Sequence, residues 1–415
     1  MRLRLNDKTI YALAALNALV LIFTKKVILA EDSESYLDAW QNSLSMGFID
    51  FARTPSYPII LGCLKAVARQ HFTILCVVVQ HLVFLLSVWF FRKITSLILS
   101  SVTMGRWLTL FYALFPFITF WANRILTESF AISGSVFLFY HLIRFSYSPT
   151  WKHVLGSTIW FIFLIFLRPA FLYLLPIGLL AWLMFWNRKP WMAACGMLGI
   201  LMVSLLEYEY CKKYEEQFGI FAPSHVSVVN FTYLAFKDGL MKPEYSDDSA
   251  FRSFIENYDG SEPISYCPVP TIQQYGLATV HRALRASQQD QTSRWIRNAL
   301  YRFIEAAEIH FSNSRSPIGI AANCFKLLFN FVTLYLFLIL FLVILLHKTI
   351  RFRKLYPIAT LLLLATLGNL CTAIIGAQGE WLRLISPSLP LLLLMIVFLM
   401  DEIRQTLRRQ GKLSF

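Results

Sequence analysis

Windows of about 20 mostly apolar residues recur along the whole of this 415-residue chain, and a window of that length crosses the hydrocarbon core of a bilayer. Lipid offers no hydrogen-bond partners to open backbone groups, so spanning segments of this kind must be helical. The weak alternation that marks an outer-membrane barrel is absent from the chain. Composition agrees, with 57% hydrophobic, 16% aromatic and only 15% charged residues, where a soluble domain carries roughly 25% charged. The sequence therefore predicts an all-α polytopic membrane protein. About ten transmembrane helices are expected, near 9–30, 72–91, 105–122, 128–146, 153–168, 170–187, 190–207, 320–346, 355–376 and 384–401.

The net charge of +14 does not point to nucleic acid, because the basic residues sit beside the ends of the apolar windows, where the positive-inside rule places them. Arg2, Arg4 and Lys8 precede the first window, Arg92, Lys93 and Arg106 flank the second and third, and Arg188 and Lys189 follow the sixth. Lys348, Arg351, Arg353 and Lys354 follow the eighth, and Arg404, Arg408, Arg409 and Lys412 follow the last. A ten-span arrangement puts all of these on one side, which makes that side and both termini cytoplasmic. The first window is followed by acids rather than by a small-residue cleavage site, so a retained helix is expected.

The opposite face then collects the unusual segments. Three divisions follow: an N-terminal transmembrane module over 1–207 with a first outer loop at 31–71, an extracytoplasmic insert over 208–319, and C-terminal helices with a basic cytoplasmic tail over 320–415. In the loop, 57–68 is apolar but too short to span, and reads as a helix lying on the outer surface. In the insert, 242–270 is rich in Pro, Asp, Ser and Gly and is expected to be mostly loop. Residues 271–310 have helical spacing, so two or three short helices are expected there. The chain has no Gly-rich phosphate loop and no metal-type cysteine spacing. Cys211 and Cys267 in the insert would pair only in an oxidising compartment, and the sequon Asn230-Phe231-Thr232 matters only in a secretory one.

Five short constellations carry potential chemistry. The first is the acid cluster Glu31-Asp32-Ser33-Glu34 with Asp38, at the exit of the first window. Partial desolvation there is expected to raise the pKa of Asp32 toward the range of a general base. Asp32 and Glu34 also resemble a loose acid pair whose oxygen ligands suit Mg²⁺ or Mn²⁺. The second is Arg53-Thr54-Pro55-Ser56-Tyr57-Pro58, where two prolines stiffen the turn that carries Arg53 and Tyr57, and the guanidinium fork suits phosphate. The third is Asn123-Arg124-Ile125-Leu126-Thr127-Glu128, in which Glu128 opens a helix that Thr127 or Asn123 would cap. The fourth is Arg168-Pro169, a charge deep in apolar sequence that demands a partner. The fifth is Glu380-Trp381-Leu382-Arg383, followed by Pro387 and Pro390. Lys25 and Lys26 stand near the same face, where snorkelling explains them equally well. Carboxylates and arginines on one membrane face suit a lipid-linked anionic substrate.

In this order, the motifs resemble the GT-C superfamily of polytopic glycosyltransferases, in particular groups like the protein O-mannosyltransferases and the bacterial lipid A aminoarabinose transferase. The resemblance implies an inverting transfer of a sugar from a polyprenyl-phosphate donor to a glycan, lipid or protein acceptor, at the periplasmic face of a bacterial inner membrane. Asp32 would act as base and Glu128 would orient the acceptor or Asp32. Arg53, Arg168 and Arg383 would hold the donor phosphate, with Tyr57, Arg124, Glu34 and Glu380 lining the substrate site. A metal-independent reaction without cofactor is expected, since only Asp32-Ser33-Glu34 stands near the metal motif of the oligosaccharyltransferase branch. The rival readings are a flippase or transporter of a lipid-linked or anionic solute, which needs polar residues at mid-membrane, and a polysaccharide polymerase or ligase.

Overall fold

The computed structural model describes residues 5–25, 27–45, 49–258, 268–307, 356–376 and 381–409. The described residues hold no β-strand; their one isolated bridge pairs Ile28 with Arg124 in parallel. The first half runs α1 Asp7–Thr24, α2 Glu31–Ser45, α3 Ser56–Ala68, α4 Phe72–Ile98, α5 Val102–Leu114, the short α6 Pro116–Thr119, and α7 Glu128–Tyr147. It continues through α8 Trp151–Ile165, α9 Leu174–Met184 and α10 Pro190–Phe218. After these come α11 Val226–Lys237, α12 Ser249–Asn257, α13 Pro268–Tyr275, α14 Leu277–Asp290 and α15 Thr292–Ala307. The last helices are α16 Tyr356–Gly376, α17 Trp381–Ile385 and α18 Leu389–Arg409.

Among the described residues, five helical stretches are long and apolar enough to cross a membrane: Asp7–Thr24, Ser56–Ile98, Pro190–Phe218, Pro357–Gly376 and Arg383–Glu402. Of the other expected crossings, α7 runs unbroken over 20 residues but is not among these five, and the third, fifth and sixth are shorter or interrupted. The third window breaks between α5 and α6 at Phe115-Pro116, because the residue before a proline is driven out of helical geometry. The helix α8 has 15 residues, a rise of about 22 Å, and α9 is shorter still. The eighth expected span, 320–346, lies outside the described residues. The expected surface helix is α3, which packs back on α4 after a bend at Arg69, where φ is +47°.

The helix α7 is the centre of the bundle, buried on nearly every side and packed between α4 and α8. Its small residues Ser129, Ser133, Gly134 and Ser135 allow neighbouring helices to approach closely. By contrast α1 and α10 expose Leu16, Leu19, Phe23, Leu198, Leu201 and Leu205, an apolar outer surface of the kind that faces lipid. Far from the α1–α2 link, Asp7 bridges Arg92 and Arg106, and the Asp401 carboxylate accepts from the backbone and hydroxyl of Ser100. These contacts tie α1, α4, α5 and α18 together.

A second hydrophobic cluster forms beyond the bundle. It joins Tyr210 and Tyr214 of α10 to Leu234, Phe251, Val280, Leu284 and, from the first loop, Ile49. The helix α10 supports it by running on past the expected span end at 207, stopping only where Gly219 turns left-handed at φ +76°. The region expected to be mostly loop contains α12, whose N-cap Asp248 accepts from Phe251 N–H, and the start of α13. An Asp among Ser and Pro signals a turn, but the same side chain serves equally as an N-cap acceptor, as Asp248 does. Among the described residues, α13, α14 and α15 are the short helices expected over 271–310, and α11 and α12 precede them. The sequon is built into this packing: Asn230 Nδ2 donates to the Gly376 carbonyl at 2.6 Å and Thr232 is fully buried. Cys211 is buried with its Sγ toward Glu207, and Cys267 lies outside the described residues.

Candidate active site

The site begins where α1 ends. The chain leaves α1 extended at Lys25, and Ile28 then pairs with the turn after α6. Ile28 N–H donates to the Asn123 carbonyl at 3.0 Å and accepts on its own carbonyl from Ile125 N–H. Ser33 completes the seam: its hydroxyl accepts from Ala30 N–H and donates to the Ile125 carbonyl. These bonds place the first turn of α2, and so Asp32, beside the first turn of α7, and so Glu128.

The 120–127 turn is itself pinned from α4. Gln80 Nε2 donates to the carbonyls of Ala122 and Arg124, at 2.9 and 2.8 Å. His81 Nε2 meets Asn123 Oδ1, and Asn123 Nδ2 donates to the Leu21 carbonyl. The side-chain caps expected for α7 do not form. Thr127 is the N-cap but makes no side-chain capping bond, and Asn123 is spent on α1 and α4. Glu128, fully buried at the first helical position, instead places its negative charge at the positive end of the helix dipole.

Three arginines converge on the two acids. Arg168 is extended (φ −154°, ψ 130°) because Pro169 follows it, and this turns its side chain out of α8 toward α7. Arg168 Nη2 donates to Glu128 Oε1 at 2.7 Å. Arg383 reaches both acids, with Nε on Glu128 Oε1 and Nη2 on Asp32 Oδ2, each at 2.5 Å. Arg53 Nη2 closes on Asp32 Oδ1 at 2.7 Å. The result is one alternating chain, Arg168, Glu128, Arg383, Asp32, Arg53, with one net positive charge. Glu128 is its most enclosed member and Asp32 its most exposed: their side chains are 0% and 35% exposed.

Several residues hold this chain without having been apparent in the sequence. Asp50 Oδ1 accepts the N–H groups of Ala52 and Arg53, at 2.8 Å each, the side-chain turn that an Asp two or three residues ahead favours. Arg53 Nε donates to Ser35 Oγ, and its guanidinium lies 4.2 Å from the Tyr36 ring centroid, with Nη1 on the Tyr36 hydroxyl. Asp32, Ser35 and Tyr36 share a helix face by their spacing of three and four, so reading 31–45 as a helix would have found them. Asn369 of α16 donates to the carbonyls of Leu384 and Ile385 and to Ser388 Oγ, fixing the segment that carries Arg383. Polar Gln80 and Asn369 inside apolar helices were the available signal.

Other expectations are corrected. Asp32 is not raised: burial pushes its carboxyl up, but the Arg53 and Arg383 guanidiniums more than offset this and hold it at about 2. Desolvation follows from the place of Asp32 along the chain, whereas only the fold supplies these partners. Tyr57 faces protein, not substrate; it is fully buried, its hydroxyl donates to Gln80 Oε1 at 3.0 Å, and its ring packs edge-on against Tyr36. Arg124 stands over the Phe120 and Trp121 rings, and no contact joins it to the five-residue chain. Glu34 is exposed and two residues from Asp32 on α2, so the two carboxylates do not converge. Among the described residues no three His, Cys, Asp or Glu side chains form a metal-type cluster. Glu380 and Lys26 lie outside the described residues, and Lys25 is exposed.

No protein-family model and no curated protein matches this chain. Among solved structures, it is similar to the archaeal oligosaccharyltransferase AglB from Archaeoglobus fulgidus, solved in complex with an inhibitory peptide and a dolichol-phosphate. The identity is 12% and the TM-score 0.49, over 98% of this chain and 52% of that one. The chain thus spans about half the length of that protein, and a likeness at this level leaves the site's chemistry to be argued from its own residues.

Guanidinium forks can bind phosphate through paired N–H donors, and two of the three arginines pair with the partly exposed Asp32.

Proposed function

We propose that this protein is a membrane glycosyltransferase that moves a sugar from a polyprenyl-phosphate donor to an acceptor at the extracytoplasmic face. The observation that carries this reading is the Arg168–Glu128–Arg383–Asp32–Arg53 chain: an excess of arginine over carboxylate, enclosed at Glu128 and most exposed at Asp32. Asp32 takes the proton of an acceptor hydroxyl or amine, and the acceptor attacks the anomeric carbon on the face opposite the phosphate. The carbon–oxygen bond to phosphate breaks, its electron pair stays on the phosphate, and the arginines meet the charge that develops there. Charge stabilisation of this kind usually contributes more to catalysis than any other single effect. Glu128 is the fixed counter-ion of Arg168 and Arg383, and so a positioning residue. In this reading 31–71 and the 208–319 insert face outward and both termini are cytoplasmic. The diverging Asp32 and Glu34 carboxylates favour transfer without a metal held between them.

The test uses purified protein in nanodiscs with a polyprenyl-phosphate sugar and a panel of lipid A, glycan and peptide acceptors. Wild-type protein is expected to release the lipid phosphate as sugar is transferred, and Asp32→Asn to lose at least about 100-fold of that rate, at the low end for general-base loss. Movement of the donor across a vesicle without bond cleavage would overturn the reading.

A further inference from the structure

We infer that the donor phosphate binds where the Asp32 carboxylate now sits, between Arg53 and Arg383, and that its arrival displaces Asp32 and frees it to act as the base. This rests on the glycosyl-transfer reading and adds an order of events to it.

The geometry singles out that position. Each oxygen of Asp32 accepts from a different arginine, Oδ1 from Arg53 Nη2 and Oδ2 from Arg383 Nη2. A carboxylate bridging two guanidiniums occupies the place that two oxygens of a phosphate would take. Glu128 holds no such place, because it is fully enclosed and shared by Arg168 and Arg383 from within the bundle. Asp32 is the most exposed of the five side chains, so an anion approaching from outside meets it before Glu128. Asp32 can also leave without unravelling α2, since the backbone of that turn is held by Ser33 on Ala30 and Ile125, not by the Asp32 side chain.

The charges balance through the exchange. A sugar linked to a lipid through a phosphodiester carries one negative charge, as Asp32 does, so the swap leaves the net charge at the two guanidiniums unchanged. As the sugar departs, the phosphate gains a second negative charge. The single positive excess of the five-residue chain is there to meet it. The displaced Asp32 meanwhile accepts the acceptor's proton. While Asp32 is paired, each of its oxygens accepts from an arginine and its carboxyl stays at about 2; release by the donor frees an oxygen to take the acceptor's proton.

Infrared difference spectra of wild type minus Asp32→Asn, in nanodiscs, isolate the Asp32 carboxylate band and its titration. Should Asp32→Asn fail to fold, Arg53→Gln assigns the same band, since losing one guanidinium moves the titration upward without ligand. Two probes separate a lipid-borne from a free phosphate: a short-chain prenyl phosphate and inorganic phosphate. With prenyl phosphate bound, the titration is expected to move from about 2 to the ordinary carboxylate value of 3.8 or above. A shift with prenyl phosphate only assigns a lipid-linked ligand, and a shift with both assigns phosphate recognition independent of the tail. Prenyl phosphate that binds, measured by calorimetry, yet leaves the Asp32 titration in place overturns the displacement while the transferase reading stands. Prenyl phosphate that does not bind overturns both, as does a shift produced by inorganic phosphate alone.

Discussion

Glu128 and Arg383 are 255 residues apart in the chain, yet Arg383 Nε donates to Glu128 Oε1 at 2.5 Å. The same oxygen accepts from Arg168, so two cations share one fully buried carboxylate. Removing one member of a buried pair leaves an uncompensated charge, at about 3–5 kcal/mol. Glu128→Gln is therefore expected to lower the thermal midpoint of the purified protein markedly and to abolish transfer. Adding Arg168→Met to Glu128→Gln should recover part of the lost stability, and a double variant no more stable than Glu128→Gln would contradict the pairing.

Asp32 sets an acid limit. Its folded carboxyl is held at about 2 against an ordinary 3.8, so the unfolded chain binds the proton first as pH falls. The stabilisation from Asp32 is complete above 3.8 and is lost between 3.8 and about 2. The thermal midpoint of wild type relative to Asp32→Asn should be flat above that window and converge within it. Convergence at a higher pH would show that the two arginines do not hold Asp32 in solution.

Phe51, two residues before Arg53, has a carbonyl that accepts from Tyr214 Oη at 2.8 Å and from His225 Nδ1 at 2.7 Å. Burial pushes the His225 imidazole below its ordinary 6.5, so the fold favours the neutral ring. Its stabilising effect is full above 6.5 and declines as pH falls below that value. Tyr214→Phe removes one of these donors and should cost about 1 kcal/mol. His225→Ala also removes a ring stacked on Phe51 and should raise the KM for donor several-fold more than Tyr214→Phe does. Equal effects of the two on KM would argue that the His225 ring stacked on Phe51 does not help to place Arg53, two residues on.

Tyr57 separates packing from substrate contact. Its hydroxyl serves Gln80, which in turn holds the turn before Glu128. Tyr57→Phe should lose about 1 kcal/mol of stability, read as a lower thermal midpoint, while the KM for donor changes less than twofold. A large rise in KM at unchanged stability would place Tyr57 in the substrate site after all.

Gly62 of α3 lies directly against the Trp40 ring of α2, and a Cβ there would overlap the ring. Overpacking of this kind costs about 1–3 kcal/mol. Gly62→Ala should therefore displace α2 and weaken transfer with no polar contact removed. Trp40→Leu in the same chain should restore it, measured as activity per folded protein.

What the sequence determined by itself was whatever depends on local pattern. Apolar windows led to helices long and apolar enough to cross a membrane, as in Asp7–Thr24 and Pro357–Gly376, because a segment in lipid must satisfy its own backbone. Charges in apolar surroundings marked Arg168 and Arg383, because a buried charge demands a partner. Which partner each takes was not local. Asp32 meets Arg53 and Arg383, from 21 and 351 residues away, only because the Ile28–Arg124 seam and the Gln80 and Asn369 hydrogen bonds bring four chain segments together. The pKa of Asp32 changed direction for the same reason: desolvation follows from position along the chain, but the opposing arginine field depends on distances in space. Only the tertiary structure shows that Tyr57 is buried on Gln80, that Arg124 stands over aromatic rings, and that the two acids differ, with Glu128 fully buried and Asp32 partly exposed.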